Sequence, residues 1–286
     1  MVLMLRSLTE AEQKLFGTLL PVENSRKKIA LSIKEKANVR EKVSDDTHLL
    51  IHCAQDSHAI VCLEIAAAFF DCEVILEDNA SLSLVCLQKS PQSQIRQRSL
   101  VGAGAKIHWH TISLGAELSQ ELVSEVKGDN AMSSVDSVSF VKGGERHAVS
   151  VRNVFSAQNG RGEIVMRSVA EDQARSEQRG MIEIGPQGNG TDTYLTQEVL
   201  MLDPTAKVDA IPALEIRTND VKASHSASVS RVTEEDLFYF GSRGISINEA
   251  REMYIEGFLS ASAENIPDKG MRGMVRDHLA KKYHRV

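Results

Sequence analysis

The feature that most constrains this chain is a long succession of short segments, from about His48 to Val232, in which apolar and polar residues alternate. Leu82-Ser83-Leu84, Ile107-His108-Trp109, Val149-Ser150-Val151, Ile164-Val165-Met166, Ile182-Glu183-Ile184 and Leu214-Glu215-Ile216 all show it. A period of two sends successive side chains to opposite faces, which is the mark of strands with one face on a core. Turn formers punctuate the gaps, at Gly102-Ala103-Gly104, Gly143-Gly144, Asn159-Gly160 and Asn189-Gly190. Interior positions recur at a loose interval: Val149 to Ile164 is 15 residues, Ile164 to Ile182 is 18 and Ile182 to Val199 is 17. No helix-period pattern longer than about ten residues breaks the stretch, so no crossover helices separate the strands. A β-helix satisfies these constraints better than an α/β sheet. A β-sandwich predicts the same alternation and stays open as the structural alternative.

The flanks have a different pattern. Residues 1–47 read as a helical segment, with Ser7 and Glu10 at capping-box spacing ahead of Leu15, Phe16, Leu19 and Leu20. Ile29, Leu31 and Ile33 follow among many lysines. From residue 233 to 286 the pattern is again helical. Thr233 and Asp236 precede Leu237, Phe238 and Phe240; Ser246 and Glu249 open a helix over Ile247–Leu259; Pro267 starts a last one. The division is therefore a helical segment at 1–47, a β-helix core at 48–232 and a helical domain at 233–286.

Charge narrows the function classes. A formal net charge of −6 provides no basic field for nucleic acid. The basic tail (Arg272, Arg276, Lys281, Lys282, Arg285) reads as a solvated helix face. Met1–Leu5 leads at once into polar sequence, so no cleavable leader is expected, and no apolar run approaches the ~18 residues that span a bilayer. The expectation is a cytoplasmic chain with no membrane contact and reduced thiols. The four cysteines, Cys53, Cys62, Cys72 and Cys86, match no CxxC pair and sit in apolar surroundings, as small hydrophobes do. Cluster carriage by these thiols is the less favoured reading.

Local motifs speak against catalysis. Gly185–Gly190 has P-loop spacing, but Thr191 and Asp192 stand where Lys and Ser or Thr would hold phosphate and magnesium, so the segment reads as a turn. His108 and His110 flank Trp109 and emerge on one face of a strand, which is half of a metal site. No Cys, Asp or Glu lies within three residues to complete it, so an exposed strand face is the expectation. Asp172, Arg175, Glu177 and Arg179 form the one dense charged group that a β-helical carbohydrate-active enzyme could use, and they read as a solvated loop.

One ordered set of motifs is more specific. Ala210-Ile211-Pro212-Ala213-Leu214-Glu215-Ile216 is followed by Asn219-Asp220-Val221-Lys222-Ala223-Ser224-His225. Then come Asp236-Leu237-Phe238-Tyr239-Phe240, Ser242-Arg243-Gly244-Ile245-Ser246, Glu249-Ala250 and Gly257-Phe258. This series resembles the signature stretch of the SufB/SufD family of iron–sulfur cluster assembly scaffolds, convincingly over about residues 145–260.

The resemblance implies a right-handed parallel β-helix with a small C-terminal helical domain and no catalysis by this chain. It implies a separate ABC-type ATPase, SufC-like, docked through Phe238, Tyr239, Arg243, Gly244, Glu249, Ala250 and Phe258. It also implies pairing, through the end of the β-helix, with a SufB-like subunit or a second copy. The SufB cysteine thought to hold the nascent cluster falls near Ala206, and the SufB glutamates beside the histidine fall at Ser224 and Ser226. That pattern is closer to SufD, with His225 as the interface residue that could ligate iron. Nothing is expected to bind tightly to this chain alone; iron or a transient cluster would sit between subunits. The alternative within the family is the sole SufB-like subunit of a minimal two-component system.

Overall fold

Residues 6–23 and 25–283 are described by the computed structural model. Met1–Leu5 and Arg285, which entered the leader and basic-tail readings, lie outside the described residues. Strands alternate between two parallel sheets. One sheet holds the odd-numbered strands β1 (Lys27–Ile33), β3 (Thr47–Cys53), β5 (Phe69–Leu76), β7 (Gln92–Val101), β9 (Glu117–Val126), β11 (Arg146–Phe155), β13 (Arg175–Ile184) and β15 (Lys207–Ile216). The other holds β2 (Lys36–Val43), β4 (His58–Ile65), β6 (Ser81–Gln88), β8 (Lys106–Ser113), β10 (Met132–Val141), β12 (Arg161–Ala170), β14 (Thr191–Met201) and β16 (Val221–Arg231). The chain thus winds as a parallel β-helix of eight coils. Coils lengthen along it: the paired residues Asp71 and Arg96 are 25 apart, Arg167 and Glu198 are 31 apart.

The alternation seen in sequence faces each strand's inner residues into one continuous core between the sheets, with Leu31, Ile51, Val61, Leu84, Trp109, Phe155, Ile164 and Leu195 among them. Register stacks like on like. One inner column runs Val74, Ser99, Ser124, Asn153, Ile182, Leu214. Its polar middle is satisfied internally, since Ser99 Oγ donates to Ser124 Oγ at 2.7 Å and Asn153 Nδ2 to the Ser133 carbonyl at 2.8 Å.

Among the described residues there are four helices, α1 (Glu10–Leu15), α2 (Glu234–Gly241), α3 (Ile247–Ala263) and α4 (Lys269–Tyr283). The last two lie on the outer face of the even-numbered sheet. Ile255, Leu259, Met271, Val275 and Leu279 pack there against Val85, Leu87, Ile112, Val138, Phe140, Val169 and Leu200. That second burial explains why β6 and β10 read as nearly unbroken buried runs rather than alternating ones.

Two expectations at the N-terminus need correction. Helix was expected to residue 47, but β1 and β2 form the first coil. The two-residue spacing of Ile29, Leu31 and Ile33 is a strand period; Lys27 and Lys28 before them and Lys34 and Lys36 after them are exposed. The first helix also starts later than Ser7 and Glu10 suggest: Thr9 is its N-cap and Glu12 completes the capping box. The caps at Thr233–Asp236 and Ser246–Glu249 form as read, and Gly185–Gly190 is a turn between β13 and β14.

Candidate functional site

The two ends of the β-helix are finished differently. At the N-terminal end, Arg6 bridges antiparallel to Ala30 on β1, and the Gly17 and Leu19 amides donate to the buried Glu73 carboxylate at 2.8 Å each. The first coils are thereby partly covered. At the C-terminal end, β15 and β16 are the last strands of their sheets and are largely exposed along their length. Leu214 and Ile216 stack on Ile182 and Ile184, and Val221, Ala223 and His225 lie over Thr191, Thr193 and Leu195. These are inner-face positions, because Leu214, Val221 and Ala223 pack against the core while their partners are buried. His225 therefore continues the core column above Leu195, and it is exposed because no further coil covers it. The core of the solenoid ends here as an apolar mouth with one imidazole in it.

A second surface lies on the helical tail. No residue of α2 is buried. Phe238 is 77% exposed and Tyr239 56%, with the Arg243 guanidinium 5.2 Å above the Tyr239 ring. Ile247 and Met253 of α3 are exposed as well. Gly244 takes a left-handed φ of 81° and makes the tight link between α2 and α3. The other docking candidates are placed differently: Glu249 caps α3 through Ser246, Ala250 is fully buried, and Phe258 packs partly against the sheet. Ala250 thus supports the surface from beneath and cannot touch a partner.

The pair His108 and His110 is not an exposed strand face. His110 is only 1% exposed, and β10 brings Asp136 directly alongside it in register. His108 Nε2 lies 2.8 Å from Asp136 Oδ2, His110 Nδ1 lies 3.5 Å from the same oxygen, and the rings stack at 4.0 Å. The Asn265 amide, from the turn between α3 and α4, donates to that oxygen at 3.0 Å. Burial alone would raise the Asp136 pKa, but the two imidazoles and the amide outweigh it and hold the carboxylate well below its usual range. Burial lowers the His110 pKa, with the Asp136 hydrogen bond and charge opposing. Sequence proximity could not reveal this group, because His108 and Asp136 are 28 residues apart. The signal was one coil length, which sets Asp136 beside His110.

Over residues 37–258 the sequence matches the family model described as SUF system FeS cluster assembly, SufBD core domain. The chain belongs to the SufBD family. It is 28% identical over 199 residues to the iron–sulfur cluster assembly SufBD family protein of Mycobacterium leprae, which covers 68% of this chain and 23% of that one. The corresponding protein of Staphylococcus saprophyticus is 29% identical over 199 residues, 68% of this chain and 43% of its own length. The chain spans less than half the length of these curated relatives.

Within this SufBD core the four cysteines are all buried. Burial pushes the Cys53 thiol up to about 12 and the Cys62 thiol to about 11, and raises Cys72 and Cys86 well above the ordinary thiol range. Protonated, water-excluded thiols are poor iron ligands. Ala206 is buried just before β15. The charged group proposed for a carbohydrate site is bound up locally: Glu177 pairs with Arg179, and Asp172 accepts the Gly143 amide at 3.2 Å. Among the described residues no helix is long and apolar enough to cross a membrane.

Proposed function

We propose that this chain is a SufD-like scaffold subunit that is joined at its β-helix mouth by a second β-helical subunit and gripped at its helical tail by an ABC-type ATPase. The observation that carries the reading is the unfinished end of the solenoid. Two strands of 10 and 11 residues leave unpaired backbone groups at the edge, and the core column ends on Leu214, Ile216, Val221 and Ala223. An exposed edge with apolar side chains is a template for another strand. A matching mouth, from a SufB-like subunit or a second copy, would complete both sets of hydrogen bonds and extend the core. His225 would then face the partner in a water-poor seam, where its imidazole can bind iron or move a proton. One imidazole cannot hold a cluster, so the other ligands come from the partner, and iron or the nascent cluster is cargo rather than a resident cofactor.

Phe238 and Tyr239, held by a short capped helix and backed by Arg243, suit a protein partner because exposed aromatics with a neighbouring guanidinium are the usual anchors of such contacts. Gly185–Gly190 is followed by Thr191 and Asp192 rather than by a P-loop lysine, which supports assigning the ATPase to a separate chain.

Two substitutions separate the surfaces. Co-expressed with a SufC-like ATPase and a SufB-like subunit, the wild-type chain should retain both on affinity purification. Phe238→Asp should lose the ATPase while keeping the β-helical partner; Val221→Lys should do the reverse. Loss of both partners from either variant, or retention of both by each, would sink the assignment. A stable homodimer formed without a SufB-like subunit would favour the minimal two-component reading.

A further inference from the structure

We propose that His108, His110 and Asp136 form a binding site for a single divalent first-row transition-metal ion. The site rests on geometry and holds whether or not the scaffold reading does. Two imidazoles and a carboxylate offer donor atoms that all lie within 4.8 Å of one another. The contacts of 2.8 Å and 3.5 Å to Asp136 Oδ2 bracket the spacing, about 3.0–3.4 Å, that metal bonds of about 2.1 Å impose on neighbouring ligands. The remaining gap closes by turning the His108 ring, which is half-buried and borders open space.

The buried imidazole supplies a second, independent indication. His110 Nε2 lies 3.2 Å from Ser83 Oγ and has its partner there. Its Nδ1 has no hydrogen-bond partner among the described residues, although the ring is almost wholly buried. In the tautomer whose Nε2–H donates to Ser83, Nδ1 directs its lone pair toward the Asp136 carboxylate. A cation between this nitrogen and the Asp136 oxygen, 3.5 Å apart, would give the buried Nδ1 a partner and neutralise the carboxylate. The outer partners are also those of a metal centre: Ser83 holds the His110 ring in place, and Asn265 orients Asp136.

The donor set decides the class of ion. Imidazole nitrogen disfavours magnesium and calcium, and the absence of thiolate among the three donors disfavours copper(I) and clusters. Two nitrogens and one oxygen suit iron(II), cobalt(II), nickel(II) or zinc(II). The site opens on a cleft of about 490 Å³ that Arg161, Glu163 and Tyr194 also line. Coordination positions left by three protein ligands would be taken by water from that side.

The test is cobalt(II) titration of the full, tag-free chain after chelator treatment, followed by its visible absorption. One equivalent should bind with the spectrum of a low-symmetry nitrogen–oxygen site, and zinc(II) should bleach it by competition. His108→Gln, at a half-buried position, should weaken binding by about tenfold or more, and so should the near-isosteric Asp136→Asn. His225→Gln should leave it unchanged. Should Asp136→Asn fail to fold, His108→Gln decides the matter. No saturable cobalt signal, or the same affinity in His108→Gln as in the wild type, overturns the proposal. So does a signal that disappears with His225 instead.

Discussion

Glu64 illustrates how single charges are tolerated inside this fold. Its carboxylate is buried, yet it receives Arg40 at 2.7 Å on one oxygen and Lys89 at 2.6 Å on the other. Burial on its own would raise the pKa; the Lys89 and Arg40 hydrogen bonds outweigh it and bring the group down to about 2. A carboxylate whose folded pKa is depressed contributes stability that is complete above its unfolded value, about 4.3, and is lost as pH falls toward the folded one. Glu64→Gln should therefore lower stability at pH 7 by about 1–2 kcal/mol, discounted for the half-exposed Arg40. The gap between variant and wild type should narrow steadily from about pH 4.5 to pH 2. Denaturant midpoints across that range check it; a gap that stays constant to pH 2 would show that the ion pairs contribute nothing.

Among the elements, the turns hold the coils in register. Asp56, Asn79, Asn130 and Asn159 all adopt a left-handed φ near 57°, and Gly104 and Gly190 are left-handed too, at 63° and 75°. Each donates its amide to the next coil: Asn79 to Ala103, Gly104 to Asp129, Asn130 to Gln158, Asn159 to Asn189 and Gly190 to Asp220. The column is a ladder built from the residues that accept this conformation most readily. Asn159→Gly should be neutral within about 0.5 kcal/mol, whereas Asn159→Val should cost about 1–2 kcal/mol. Gly162 is stricter. At φ 140° a Cβ there would stand 1.9 Å from the Ser133 carbonyl oxygen, so Gly162→Ala should destabilise by more than about 2 kcal/mol. Thermal unfolding of the three variants should rank them in that order, and a wild-type-like Gly162→Ala would contradict the tight packing of β12 on β10.

At the scale of the whole molecule, the helical tail both covers and presents. α3 and α4 bury the outer face of the even sheet, where Val138, Phe140, Val169 and Leu200 would otherwise meet water. Each such side chain contributes about 1.5–3 kcal/mol when buried. Asn38 donates to Asp268 at 3.0 Å and Lys142 Nζ to the Lys282 carbonyl at 2.8 Å, tying the tail to coils far apart in sequence. A chain ended at Val232 should bind a hydrophobic dye strongly and aggregate, while the full chain should do neither. A monomeric, dye-silent truncation would mean that the tail is an appendage. α2 remains unburied, with Phe238 and Tyr239 exposed.

Much of the fold was legible because two-residue alternation and recurring turn formers are local properties of the chain, visible wherever a strand has one buried face. The same rule, applied to Ile29, Leu31 and Ile33, would have started the β-helix one coil earlier; the dense lysines around them obscured it. His225 was recognisable from its motif, but its place at the top of the core column depends on register with Leu195 and on the want of a further coil. Asp136 could not be paired with His108 and His110 from spacing, since only the winding of the chain brings residues one coil apart within bonding distance. Nor could the burial of Ala250 be read locally: which face of α3 meets the sheet is settled by packing. Alternation determines strands because it is written in neighbouring residues. Sites are decided by the coil, because their parts come from separate turns.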